Sequence, residues 1–438
     1  MQQRRRLLLT LLAGLVLALA VVAAGCGGDD DGGGGTVEGS EDVSGSITLM
    51  GIWVGAEQEA IQGVLDAFGE AYPNVQVEYL PAGDEIVTRL STALEGGNPP
   101  DLATVAQPGA IADFAEAGDI QSLEFARDAA VENLGESVVE TGSVDDTLYG
   151  VLVKAINKST IWYNVAAFED AGIEPPETWD DLIAAADTLN ASGIPAYSLA
   201  GADGWTITDL FENVYIRTAG VDMYDQLARH EIPWTDQSVK DALTRMGEIY
   251  SNDSNIAGGR EAALQTDNAG SISRVLTDDP EAAMVIEGDF VPTAVETTLE
   301  PETGYNVFTF PSIDGSAPAV VGAGDFVTMF EDSPAAQALV EYLTSVEAAE
   351  QWAERGIATP NKNVDDSLYP NELVRTTATA IAEAETFRYD LSDLQPSAFG
   401  ATVGQGLFKL FQDFLATPDD IDGVTQQMEE AAQDAFGS

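Results

Sequence analysis

Two tryptophans stand where this chain offers chemistry rather than packing. Trp53 follows the apolar run "SITLMGI" and precedes an acidic, helical stretch in which Glu57 comes early. Trp205 follows Gly204 in the loop-like "GADGWT". An indole plane in such a place can lie against the C–H face of a hydroxyl-rich molecule, while carboxylates and amides bond to its edges. Trp162 and Phe290, the latter in "EGDF", are further candidate planes. Candidate edge partners are Glu57, Gln107, Asn157, Lys158, Asp209, Asp289 and Asp325, and the charged ones among them make the stronger hydrogen bonds. Competing structural roles are plain. Trp162 alternates with Tyr163 on a strand, so one of the two faces a core. Glu57 near a helix N-terminus is stabilised by the helix dipole in any case. Trp179, Trp234 and Trp352 read as packing.

Catalytic readings are thinned by residue type. The chain has one histidine, His230, and one cysteine, Cys26, too few for a zinc site of histidine and thiolate ligands. No G-x-S-x-G surrounds a serine, and His230 in "LARHEIPW" reads as a surface connection. No G-x-G-x-x-G follows the first strand and no phosphate-cradling loop is present. The reading therefore calls for no cofactor and no metal. Paired carboxylates of a glycosidase remain an alternative, because 74 acidic residues guarantee chance pairs. A binding protein for a cationic or metal solute is a third reading, which would want carboxylates and few aromatic planes.

Composition narrows the partners. With 18 basic and 74 acidic residues, the formal charge of the 438-residue chain is −56. That excludes nucleic acid, whose phosphates need clustered Lys and Arg, and it opposes docking on anionic lipid heads. Apolar residues at 45% supply a sizeable core.

The elements that would position these residues alternate. "SITLMGIW" (46–53) reads as a buried strand, and Ile61, Val64, Leu65 and Phe68 recur at helical spacing until Pro73 and Asn74. "VQVEYL" (75–80) alternates as a strand, "DEIVTRLSTALEGG" (84–97) is an amphipathic helix, and "PDLATVA" (100–106) is a third strand. This β-α-β-α-β order predicts a parallel sheet flanked by helices. Ligands of such sheets bind at the carboxyl ends of strands, where Trp53 and Gln107 fall.

The N-terminus carries a secretory pattern: basic "MQQRRR", an apolar run, then "AAGC". The last of these resembles a bacterial lipobox, with Ala23 where a branched aliphatic residue is usual. Residues 1–25 are read as a lipoprotein signal peptide and Cys26 as the lipidated mature N-terminus, a membrane anchor of two acyl chains. Residues 26–45, rich in Gly and Asp, read as a flexible tether.

The segment 148–189 resembles extracellular solute-binding proteins (family 1) of carbohydrate ABC transporters. The resemblance rests on Tyr149-Gly150, Tyr163-Asn164, Phe168, Ala171-Gly172, Pro175-Pro176 and Thr178-Trp179-Asp180, with Val165 where the family often has Lys. "AAMVIEGDF" (282–290) and 310–363 extend it, and "GIWVGAEQE" and "AGADGWT" suggest the α-glucoside branch. The resemblance implies a two-lobed, maltose-binding-protein-like (type II) α/β fold with a ligand cleft. It places the N-terminal lobe at 46–152 plus 307–331 and the C-terminal lobe at 153–306 plus 332–438. The hinge crossings fall near Leu152–Val153, Tyr305–Val307 and Glu331–Ser333. It also implies Phe399 as a late aromatic closing over a sugar, a permease as partner, a monomer, and capture of a carbohydrate by hinge closure at the outer face of the membrane.

Overall fold

The computed structural model describes residues 42–384, 386–400 and 402–437; the signal peptide, Cys26 and most of the tether lie outside them. The first strand, Gly45–Gly51, buries Ile47 and Leu49 on one face, while half-buried Met50 on the other packs toward Ile86 and Leu90. The helix that follows, Ala56–Ala71, puts Ile61, Val64, Leu65 and Phe68 on one buried stripe and stops before Pro73. Each such side chain contributes about 1.5–3 kcal/mol by leaving water. The strand Val75–Pro81 pairs with the first strand in parallel, Ile47 opposite Val77. After the helix Ile86–Glu95, the strand Leu102–Val105 pairs on the other side, Leu49 opposite Leu102. The expected β-α-β-α-β unit is present.

This unit is half of a six-stranded sheet. The long strand Val320–Met329 joins it antiparallel to Leu102–Val105. Val151–Asn157 pairs antiparallel with Val320–Met329, and Phe387–Tyr389 pairs with it in parallel. Both long strands are buried at every residue, as strands covered on two faces are. Gly324 has a physical reason here: a Cβ at this position would meet the Lys154 carbonyl oxygen at 2.2 Å. A second, four-stranded sheet has the order Tyr305–Thr309, Thr160–Asn164, Met284–Ile286, Tyr197–Ser198.

Caps explain two of the motifs read from sequence. Asn164 accepts from the Ala167 N–H to start one helix, while its amide donates to the carbonyls of Val275 and Thr277. Thr178 caps the helix Trp179–Ser192 by accepting from the Asp181 N–H.

The passages between the sheets differ from the expected ones. Val151–Asn157 lies wholly in the first sheet, so the chain crosses at Lys158 and Ser159 rather than at Leu152–Val153. Tyr305–Thr309 lies wholly in the second, so the return comes after Thr309 rather than at Tyr305–Val307. No crossing occurs at Glu331–Ser333. The helices Pro334–Leu343 and Val346–Glu354 bury Leu339, Leu343 and Trp352 in the first core with Trp53 and Phe68. The chain joins the second core, around Trp179, Phe211 and Trp234, from Leu391 and Phe399 onward. An amphipathic helix shows its apolar stripe in sequence, but not which sheet that stripe will cover.

Candidate ligand-binding site

The three parallel strands of the first sheet end at one place. Ile52, Trp53 and Val54 follow the first, Asp84 follows the second on a short turn, and Ala106 and Gln107 follow the third. Against them stand the loops before the helices Trp205–Thr218 and Asn268–Ser273, and the turn at Phe290. Between lies a cavity of about 350 Å³, lined by all of these. Its size is that of a small-molecule site.

Of the candidates read from sequence, Trp53, Glu57, Gln107, Lys158, Trp205, Phe290 and Asp325 line this cavity together. Trp205 stands edge-on to Phe290, their ring centres 6.0 Å apart, and Lys158 Nζ lies 5.3 Å from the Trp205 ring centre. Trp53 is 1% exposed, so it serves core and cavity at once. Its other side meets Trp352 edge-on at 5.1 Å. Its indole N–H donates to Asp325 Oδ2 at 2.6 Å, and its carbonyl accepts from the Tyr79 hydroxyl.

Two buried lysines organise the charges. Lys154 Nζ is 2.5 Å from Glu57 Oε1 and 3.5 Å from Asp325 Oδ2. Burial works against its charge, but Glu57 and Asp325 outweigh it and hold the ammonium above the usual lysine range. Lys158 Nζ is 2.9 Å from Asp209 Oδ1 and 2.5 Å from Asp390 Oδ2. Burial opposes ionisation of Asp390 too, yet Lys158, Glu212 and the Ser392 hydroxyl bring its carboxyl down to about 2. Burial pushes Asp393, which also lines the cavity, well up.

Five candidates do not line the cavity. Trp162 is fully buried, donates to the Gly288 carbonyl and packs with Tyr305 and Leu373. Of the Trp162–Tyr163 pair, neither side chain is left for a ligand, because each faces a core. Phe399 is 1% exposed and meets Trp234 edge-on in the second core. Asn157 turns its Oδ1 to the Ser159 N–H. Asp209 supports Lys158 from behind. Asp289 is buried, its Oδ2 has no protein partner, and burial raises its carboxyl to about 7.

Other lining residues went unread: Lys154, Asp84, Asp203, Asp267, Asn268, Asp393 and Phe408. Lys154 left a signal, a lone charge inside the apolar strand "VLVKAIN". Asp203, one residue before the loop glycine Gly204 and two before Trp205, left another. Asp84, Asp267, Asn268, Asp393 and Phe408 left none, since this chain is acidic everywhere. Two lining acceptors, Gln107 Oε1 and Asn268 Oδ1, are buried without a protein donor. They suit a ligand that brings hydroxyl or amino hydrogens.

A larger cleft of about 720 Å³ lies at the edge of the second sheet, among Pro175, Pro176, Phe310 and Pro318. Among the described residues its one cation is Arg217, which already donates to the carbonyls of Asn213, Phe310 and Ala319. It lacks the convergent polar groups of the smaller cavity. Among the described residues, no group of three His, Cys, Asp or Glu side chains is arranged to hold a metal ion.

A model of the family described as bacterial extracellular solute-binding proteins matches residues 54–350. The chain belongs to this family. The osmoprotective compounds-binding protein of Synechocystis sp. is 35% identical over 381 residues, spanning 85% of this chain and 88% of that one. The alpha-glucosides-binding periplasmic protein of Rhizobium meliloti is 30% identical over 372 residues, 81% of each chain. Among solved structures, the bacterial solute receptor AcbH aligns with a TM-score of 0.79 at 18% identity, over 90% of this chain and 100% of that one. That likeness gives the fold: two helix-flanked sheets as the two lobes of a solute-binding protein, with the cavity between them.

Proposed function

We propose that this protein captures a sugar of the α-glucoside kind outside the cytoplasm and delivers it to the permease of an ABC importer, with no chemistry on the ligand. One observation carries the reading. Trp53, Trp205 and Phe290 line one cavity together with hydrogen-bonding groups, two of them buried acceptors lacking a protein donor. Sugars offer C–H faces for the first and hydroxyl donors for the second. Family membership and the relatives named for alpha-glucosides and osmoprotective compounds support it.

Capture works by closure. A ligand that touches both lobes stabilises the closed form by the contacts only that form provides. The passages at Lys158–Ser159, after Thr309 and after Tyr389 are the hinge. The protein acts as a monomer, held to the membrane by lipid on Cys26 and reaching its permease on the 26–45 tether. Cys26→Ser should then release it from the membrane fraction.

A thermal-shift screen of the purified protein against mono- and disaccharides, amino acids and divalent ions tests the reading. A sugar that binds only the folded state raises the melting temperature with concentration, and Trp205→Ala should remove that shift. Stabilisation by a cation or an amino acid, with none by any sugar, would overturn the assignment.

A further inference from the structure

The two lysines in the cavity invite the idea that an anionic group binds there. The geometry says otherwise. Lys154 is engaged by Glu57 and Asp325, and Lys158 by Asp209 and Asp390. Among the described residues, no other lysine or arginine lines the cavity. Four lining carboxylates are left over: Asp84, Asp203, Asp267 and Asp393. Among the described residues, none of these four forms an ion pair with a basic side chain. The fourth, Asp393, is 5% exposed, and burial pushes its carboxyl toward the neutral form, so it adds no fixed charge.

Three of the four come from opposite sides. Asp84 sits on the turn after the strand Val75–Pro81 of the first sheet. Asp203 and Asp267 precede the helices Trp205–Thr218 and Asn268–Ser273 on the other side. Asp203 accepts from the Asn268 N–H and Asp267 from the Gly270 N–H, so both are fixed in place. They are close enough to feel one another: after burial itself, Asp84 and Asp267 help to raise the Asp203 carboxyl to about 6. An anionic group entering here would add to that repulsion in a partly desolvated place and find no free cation.

We propose that the site is a charge filter, in which Asp84, Asp203 and Asp267 turn away phosphorylated and acidic sugars and admit neutral or amine-bearing ones. The proposal rests on the sugar reading above and adds the chemical class of sugar.

The test is calorimetric titration of the purified protein with maltose, trehalose, sucrose and methyl α-glucoside. The tightest of these is then compared with its 6-phosphate and its 6-amino-6-deoxy form. The filter predicts that the phosphate binds at least about thirtyfold more weakly than the neutral sugar, and the amine no more weakly than a few-fold. The combined variant Asp84→Asn, Asp203→Asn, Asp267→Asn should narrow the neutral-to-phosphate ratio to under about fivefold, since Asn keeps the backbone-accepting oxygens and removes the charge. Raising salt from about 0.05 to about 0.5 M should narrow the ratio in the unaltered protein, which gives a reading even if the variant does not fold.

A phosphate that binds as well as the neutral sugar overturns the filter and leaves the sugar reading intact. A preference unchanged by both the variant and salt means that the phosphate is excluded by shape, and also overturns the filter. Absence of binding by every neutral sugar overturns the sugar reading, and the filter with it.

Discussion

Lys154 and Lys158 lie four residues apart, one in the strand Val151–Asn157 and one just past its end, yet they join different things. Lys154 ties together partners from one lobe: Glu57 on the first helix and Asp325 on the long strand of the first sheet. Asp325 in turn holds the Trp53 indole. All of these partners belong to the first sheet and the helix that follows its first strand. Lys158 instead stands at the crossing between sheets. It joins Asp209, on the helix Trp205–Thr218, to Asp390, just past the strand Phe387–Tyr389 of the first sheet. On the proposed reading, the first network positions a ligand platform, and the second holds the passage between the two sheets at the cavity wall. The two networks use the same residue types, and what separates them is which elements the ion pairs bridge.

The largest effect expected from breaking this contrast is at the hinge. Lys158→Met leaves Asp209 and Asp390 buried without their cation, and should cost about 3–5 kcal/mol in denaturant unfolding. Next comes a proton. Asp289 lies beside the same strand, donates its N–H to the Asn157 carbonyl, and has its carboxyl raised to about 7 by burial. The folded chain therefore keeps a proton that the unfolded chain releases near pH 4. Stability from this group is present at low pH and falls as pH rises from about 4 to about 7. Asp289→Asn should stabilise the protein by about 4 kcal/mol at pH 8 and leave it nearly unchanged at pH 4, read from urea midpoints at the two pH values.

At the platform, Trp53→Phe keeps a ring but removes the N–H that Asp325 accepts. Sugar binding should weaken by about 1.5–3 kcal/mol in calorimetry, with a smaller change in stability than at Lys158. The smallest effect belongs to Glu57→Gln. Its side chain is 23% exposed and Asp325 remains beside Lys154, so unfolding should shift by under about 1 kcal/mol. A Glu57 variant as damaging as Lys158→Met would erase the distinction between the two networks.

Much of this was legible in the chain. Period-two and helical patterns located the first β-α-β-α-β unit, and its strand ends pointed to Trp53 and Gln107, both of which line the cavity. The family resemblance added Phe290, which also lines the cavity. Three things were not legible. The helices from Pro334 to Glu354 gave no sign of which sheet they would cover, because apolar stripes are interchangeable. Trp162 and Phe399 are aromatic like Trp205, and only tertiary packing separates a core ring from a cavity ring. Asp84 and Asp267 are individually unremarkable in a chain with 74 acidic residues; their meaning comes from facing one another across a gap.

The measurement that tests the central claim most directly is a crystal structure with the sugar that stabilises the protein most. The account predicts one sugar ring between the lobes, against Trp205 and Trp53, with hydroxyls donating to Gln107 Oε1 and Asn268 Oδ1. A sugar seated in the cleft by Pro175 and Phe310, or one lying between the lobes without touching Trp205, would contradict it.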